Sequence, residues 1–260
     1  VGEAVIGQIY ALYKRELLRL VRSRYMWLMI VAQPLMWVAF FGSSLAGLPR
    51  AFLLQYFGVG SYLAYMLPGM ASVVMMSVGI FSSMSLIYDK RIGYMKRLLV
   101  APVPKSAIFA AKALGAATRG LLAVAAIIAA GAALGASYSV NPAGLALWVV
   151  ALAAAGAGFS ALFIALTVKT ADLHAPSVVA NFITMPVMFA STALFPRQFF
   201  PEWLRAVSDA NPLTHLVELG RSALIYGSPP DLASFMYVVA FSAASAALAA
   251  ALTERLLTAD

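Results

Sequence analysis

The sequence predicts an all-α membrane protein with six transmembrane helices, an N-terminal amphipathic interface helix, and re-entrant outer helices between spans five and six. Three observations predict it. Hydrophobic residues are 63% of the 260-residue chain and charged residues 11%, where a soluble domain carries about 25% charge. Apolar runs of about 20 residues, the length that crosses a bilayer, recur six times. The Lys and Arg residues flank these runs and fall unevenly on alternate sides of them.

The N-terminal segment, residues 1–24, has the period of a helix with two unlike faces. Val5, Ile9, Leu12, Tyr13, Leu17 and Leu20 cluster on one side, and Lys14, Arg15, Arg19 and Arg22 take the other. So charged a helix suits the interfacial plane and not the bilayer interior. Nor is it expected to be a cleavable signal, because it lacks an apolar core of 7–15 residues.

Residues 25–260 form one membrane domain. Its spans are expected at about 25–46, 62–87, 107–136, 143–168, 177–196 and 232–253. Lys105, Lys112 and Arg119 recur every seventh residue, so they share a face of the third helix, which is expected to start below the bilayer. Pro34, Pro68 and Pro186 fall inside the first, second and fifth spans, where each frees a carbonyl and bends the helix. The Ala- and Gly-rich fourth span, "AAAGAGFSALFIAL", permits close helix approach.

With the N-terminus inside, the cytoplasmic side holds fourteen of the eighteen Lys and Arg residues. Arg50, Arg197, Arg205 and Arg221 remain outside, and both termini are then cytoplasmic. The outer segment 197–230 is expected to be a helical hairpin that dips into the outer leaflet. Pro201 and Pro212 suit first-turn positions and Asn211 suits an N-cap. In its second helix Leu213, Leu216, Val217, Gly220 and Leu224 share one face, and His215, Glu218, Arg221 and Ser222 another.

Several functions are disfavoured by what the chain lacks. It has no Cys, and His174 and His215 are its only imidazoles, so a metal site is not expected. The charge of +8 belongs with span flanks and anionic lipid, and no nucleic-acid partner is expected. A phosphate-binding loop needs Gly before Lys-Ser or Lys-Thr, but Pro104 and Val168 stand there. No catalytic residue or cofactor site is expected. The span interiors carry only weak polar groups: Gln33, Ser72, Ser77, Ser82, Ser160, Thr167, Asn181 and Thr184. Without a protonatable relay, active transport must draw its energy from a separate subunit.

The connector 88–106 is the densest charge in the chain. "DKRIGYMKRLLVAPVPKS" sets five cations against one acid. "KRIGYMKRLLVAP" has room for two to three helical turns before Pro102 and Pro104 end them. The product is a short helix with apolar knobs and a basic collar, suited either to a partner or to anionic lipid.

Four stretches in this order, "LLRLVRSRYMWLMIVAQPLMWVAFFG", "YLAYMLPGM", "YDKRIGYMKRLLVAPVPKS" and "NPLTHLVELGRSALIYG", resemble the permease subunit of type-2 ABC exporters, the group that includes daunorubicin-resistance permeases. The resemblance implies an ATP-driven exporter of the prokaryotic cytoplasmic membrane, in which two permease copies, expected to be a homodimer, join two separate ATP-binding cassette subunits. ATP and Mg are then expected on the partner subunit, and this chain is not itself an enzyme. Gly93, Tyr94, Met95, Lys96, Arg97, Leu98 and Leu99 match the position of the family's coupling helix, which contacts the ATPase. Asn211, Pro212, Thr214, Glu218 and Arg221 match a pattern, "NPxT…E…R", in the re-entrant helices that close the exit. The first, second and fifth spans would line the path between protomers. One departure is that Asp89 stands alone among cations where related exporters often carry an acidic pair. The implied substrate is hydrophobic or amphipathic: a drug, a lipid or a lipid-linked glycan. The competing reading is a non-transporting membrane module that recruits a soluble partner through the same basic loop.

Overall fold

A computed structural model describes residues 2–22, 24–45, 47–91, 105–167 and 175–257. Among these every regular element is helical, with no strand. Ten α-helices follow in order: α1 Gly2–Arg22, α2 Arg24–Ser44, α3 Arg50–Phe57, α4 Tyr62–Arg91, α5 Lys105–Ala133, α6 Pro142–Thr167, α7 Ala175–Phe189, α8 Glu202–Asp209, α9 Pro212–Arg221 and α10 Leu232–Leu257.

Four helices are long and apolar enough to cross a membrane, over Tyr62–Phe81, Ala113–Ala133, Pro142–Thr167 and Leu232–Leu252. They match the second, third, fourth and sixth expected spans. The first expected span is the 21-residue helix α2. The fifth is shorter than its apolar run, because α7 ends at Phe189. There the Ser191 hydroxyl donates to the Met188 carbonyl at 2.6 Å and accepts from the Ala193 amide at 3.3 Å. That local bonding competes with another helical turn. Helix α3 lies in a segment for which the sequence reading assigned no element.

The bundle is built around α4, whose apolar window is 89% buried against 17% for that of α10. Tyr62, Tyr65, Met66, Leu67, Met70, Met75 and Met76 pack between α5, α6 and α9. Close approach needs small residues. A Cβ on Gly79 of α4 would lie 2.4 Å from the Gly156 carbonyl oxygen of α6, which bears out the small-residue reading of the fourth span. The hydroxyls of Ser72, Ser77, Thr167 and Thr184 each donate to the carbonyl four residues earlier, so they satisfy themselves inside their own helices.

Helix α1 packs on the N-terminal half of α5. Tyr13 and Thr118 share a hydrogen bond of 2.9 Å, and Glu16 pairs with Arg119 at 3.8 Å with both side chains under one-tenth exposed. Arg119 is therefore a buried, paired cation and not a solvated flank of its helix. The connection 190–231 packs against the opposite end of the bundle, at the start of α4 and the loop after α5.

Candidate functional site

Helix α9 is fixed from three directions. Asn211 is its N-cap, accepting from the Leu213 amide at 2.9 Å, while its own amide donates to the Val187 carbonyl of α7 at 2.8 Å. Pro212 follows at the first helical position, where no backbone donor is lost. Thr214 shares a hydrogen bond with Ser208 of α8 at 3.2 Å. From α6, the Trp148 indole donates to the Leu216 carbonyl at 3.0 Å.

The last residue of α9 carries the charge. Arg221 is 1% exposed, and its guanidinium donates to the Glu218 carboxylate at 2.7 Å, to the Tyr65 carbonyl at 3.3 Å and to the Thr192 carbonyl. It also lies over the Tyr65 ring, 3.6 Å from the centroid, a cation–π contact that burial strengthens. The Thr192 hydroxyl donates to the same Glu218 oxygen at 2.7 Å. One buried cation thus ties three separate stretches of chain: α4, the 191–193 turn and α9. The turn has no slack, because a Cβ on Gly69 would lie 2.3 Å from the Ala193 carbonyl oxygen.

Above this clasp opens a cavity of about 520 Å³. Tyr56, Tyr65 and Tyr226 supply rings to its wall, and Arg197, Arg205, Arg221 and Glu218 supply charge. Burial pushes the Tyr226 phenol above its ordinary value, so it remains a neutral hydroxyl and donates to the Phe57 carbonyl at 3.1 Å. Arg197 forks onto Asp209 with one arm at 2.6 Å, and these hydrogen bonds hold the Asp209 carboxyl below its usual range.

All five residues of the "NPxT…E…R" pattern therefore lie on α9 and its cap. The face assigned to His215, Glu218, Arg221 and Ser222 is nonetheless not a solvent face. Arg221 and Ser222 are buried, and only His215 and Glu218 keep partial exposure. The helix is enclosed by α4, α6, α8 and α10, so its apolar face is buried and part of its polar face with it. Pro34, Pro68 and Pro186 lie inside α2, α4 and α7 as expected. Gly93, Tyr94, Met95, Lys96, Arg97, Leu98 and Leu99 lie outside the described residues. The path-lining implied for the second span finds little exposed surface on α4, where Phe81 is the one exposed residue between Tyr62 and Phe81.

Sequence reasoning missed Tyr65, Thr192 and Gly69, the three contacts that convert an exposed-looking pair into a clasp. The available signal was the Glu218–Arg221 spacing of three, which marks the pair but not the carbonyls that bury its cation. No group of three or more His, Cys, Asp or Glu able to hold a metal occurs among the described residues.

The sequence model of the ABC-2 type transporter family matches residues 7–225. The chain is 30% identical over 221 residues to the putative transport permease ycf38 of Cyanophora paradoxa, covering 82% of this chain and 72% of that protein. It is 28% identical to the putative transport permease ycf38 of Porphyra purpurea, with the same coverage. It is also 29% identical over 169 residues to the daunorubicin resistance ABC transporter permease protein DrrB1 of Streptomyces coeruleorubidus, covering 64% of this chain and 59% of that one. With the apolar helices of the bundle, these matches show that the chain belongs to the ABC-2 type transporter family, as an integral membrane permease component and not the ATPase.

Proposed function

We propose that this chain is the membrane subunit of an ATP-driven exporter, in which two copies work with two separate ATP-binding subunits to move a hydrophobic or amphipathic substrate out of the cytoplasm. In this reading six segments span the prokaryotic plasma membrane, α1 lies at its inner surface, both termini are cytoplasmic, and the 190–231 segment closes the outer end. The observation that carries it is a single helix. Helix α4 runs unbroken from Tyr62 to Arg91, a rod of roughly 45 Å. One end leads directly into the 93–99 segment that would meet the ATPase, and the other presents the Tyr65 carbonyl and ring to Arg221.

That geometry supplies a mechanism. ATP draws the two ATPase subunits together, the 93–99 segments move with them, and each α4 tilts about its packed core. A tilt at Tyr65 pulls on the only charged side chain that joins α4 to the 191–193 turn among the described residues. ATP shifts the two membrane states only through its different affinity for them. The self-satisfied hydroxyls of α4, α6 and α7 offer no proton relay, in keeping with an external energy source.

The test is ATPase activity of the cognate ATP-binding subunit reconstituted with this chain. Met95→Asp/Leu98→Asp is expected to abolish co-purification and permease-dependent activity while the permease stays folded. Unchanged binding and activity would assign the basic connector to lipid. For the outer closure, Glu218→Ala is expected to alter transport and basal ATPase rate, and unchanged values for both would remove the gating role.

A further inference from the structure

We infer that the cavity above the Arg221 clasp binds the phosphate-bearing headgroup of an anionic amphiphile. Only four of the chain's eighteen Lys and Arg residues fall on the side assigned as outer, and three of those four line this one cavity. The same segment carries Glu202, Asp209 and Glu218, so what matters is how each arginine is paired.

Two of the three arginines have one in the protein. Arg221 pairs with Glu218, and Arg197 forks onto Asp209. Arg205 differs. It donates Nε to the Phe200 carbonyl at 2.8 Å and one terminal nitrogen to the Gln198 carbonyl at 3.3 Å. Those carbonyls orient the guanidinium, which is exposed and has no carboxylate within 4 Å among the described residues. Its second terminal nitrogen has no acceptor there. A guanidinium held by two backbone carbonyls with a free arm is preorganised for an oxyanion.

The cavity has room for more than a bare ion. Its volume of about 520 Å³ lies within the range of small-molecule sites, roughly 300–1,000 Å³. The rings of Tyr56 and Tyr226 stand among the polar groups of its wall. A phosphate offers several acceptor oxygens to Arg205 and Arg197, and the glycerol or sugar beyond it would lie against the rings. Both a membrane lipid and a phosphate-bearing cargo present that group, and the geometry is independent of whether the segment gates export.

The experiment titrates purified full-length protein in neutral detergent with dihexanoyl phosphatidic acid, uncharged dihexanoylglycerol and inorganic phosphate, followed by calorimetry. Saturable binding of the phosphatidic acid is expected, with no binding of the uncharged amphiphile and weak or no binding of phosphate. Arg205→Gln should weaken binding roughly tenfold. Because Arg205 also holds two carbonyls, a second variant leaves it in place: Gln198→Glu sets a carboxylate in the same wall and should weaken binding by a similar factor. Equal affinity for the phosphatidic acid and the uncharged amphiphile, or wild-type affinity in both variants, overturns the inference. Phosphate binding as tightly as the amphiphile, with the same dependence on Arg205, overturns the amphiphile and assigns the site to free phosphate. Loss of binding without loss of ATPase coupling would separate this site from the export mechanism.

Discussion

Arg221 holds its charge at 1% exposure, so its neighbours decide what a substitution costs. Arg221→Met removes the cation, takes that donor from the carbonyls of Tyr65 and Thr192, and leaves the part-exposed Glu218 carboxylate with the Thr192 hydroxyl as its donor. Leaving a buried acceptor without its donor costs about 1–3 kcal/mol, and a loss of that size is expected in thermal unfolding of the purified protein. Arg221→Lys should recover little of it, because an ammonium cannot reach three acceptors in one plane while lying flat on a tyrosine ring. Recovery to wild-type stability with Lys would mean the charge alone matters and the fork geometry does not. The Asp209–Arg197 fork behaves differently because it is exposed. Its folded carboxyl is held below the ordinary value of 3.8, so its contribution is complete above that value and disappears as pH falls through the lowered one. The protection this pair gives to amide hydrogens around 197–211 should therefore not change with pH near neutrality. Removing the fork with Asp209→Asn should raise exchange there at pH 7 and abolish any further rise in acid that is due to this pair.

At the scale of elements, identical chemistry has opposite consequences at two helical glycines. Gly7 of α1 is exposed with nothing within 4 Å of an added Cβ, whereas the same Cβ on Gly69 of α4 meets the Ala193 backbone at 2.3 Å. Gly7→Ala is expected to stabilise by about 0.5–1 kcal/mol through helix propensity. Gly69→Ala should destabilise by about 1–3 kcal/mol, because backbone must shift, and it should loosen the 191–193 turn that Arg221 grips. Thermal unfolding of the two variants side by side checks both signs. Most element boundaries were legible in the sequence for a simple reason. Apolar length marks α4, α5, α6 and α10, and Asn211-Pro212 marks the start of α9 by capping chemistry. The end of α7 was not legible, because it depends on the Ser191 hydroxyl and on the Thr192 carbonyl, which an arginine 29 residues later completes. The site showed the same limit. Glu218 and Arg221 were visible as a helical pair, but their burial comes from Tyr65 and Thr192, which no local pattern connects to them. Glu16 was hidden likewise, since its partner Arg119 lies on another helix.

For the whole molecule, the proposed pairing of two copies must be read against the surface the bundle leaves open. Helix α7 exposes Val178, Phe182, Met185 and Phe189, at 66%, 78%, 52% and 46%, and their spacing of four, three and four residues makes one stripe. Helix α2 adds Met36 and Phe40 at 57% and 65%. Helix α10 is also open, with Met236 at 62% and Leu248 at 46%. Composition alone does not distinguish lipid from protein as the cover, since lipid tails are as apolar as leucine. The resemblance sets the first, second and fifth spans between protomers, which would put the α7 stripe at the dyad and α10 at the lipid boundary. The chain contains no cysteine, so single introduced cysteines report without background. Phe182→Cys in native membranes is expected to give a disulfide-linked dimer under mild oxidation, because a residue near a two-fold axis faces its own copy and a disulfide needs Cα atoms within about 7 Å. Leu248→Cys should remain monomeric under the same conditions. Dimers from Leu248→Cys with none from Phe182→Cys would move the pairing face to α10 and leave the α7 stripe to lipid. Because α7 ends at the 191–193 turn, a dyad at Phe182 would also place the two Arg221 clasps on either side of the shared axis, where a tilt of either α4 would bear on the same exit.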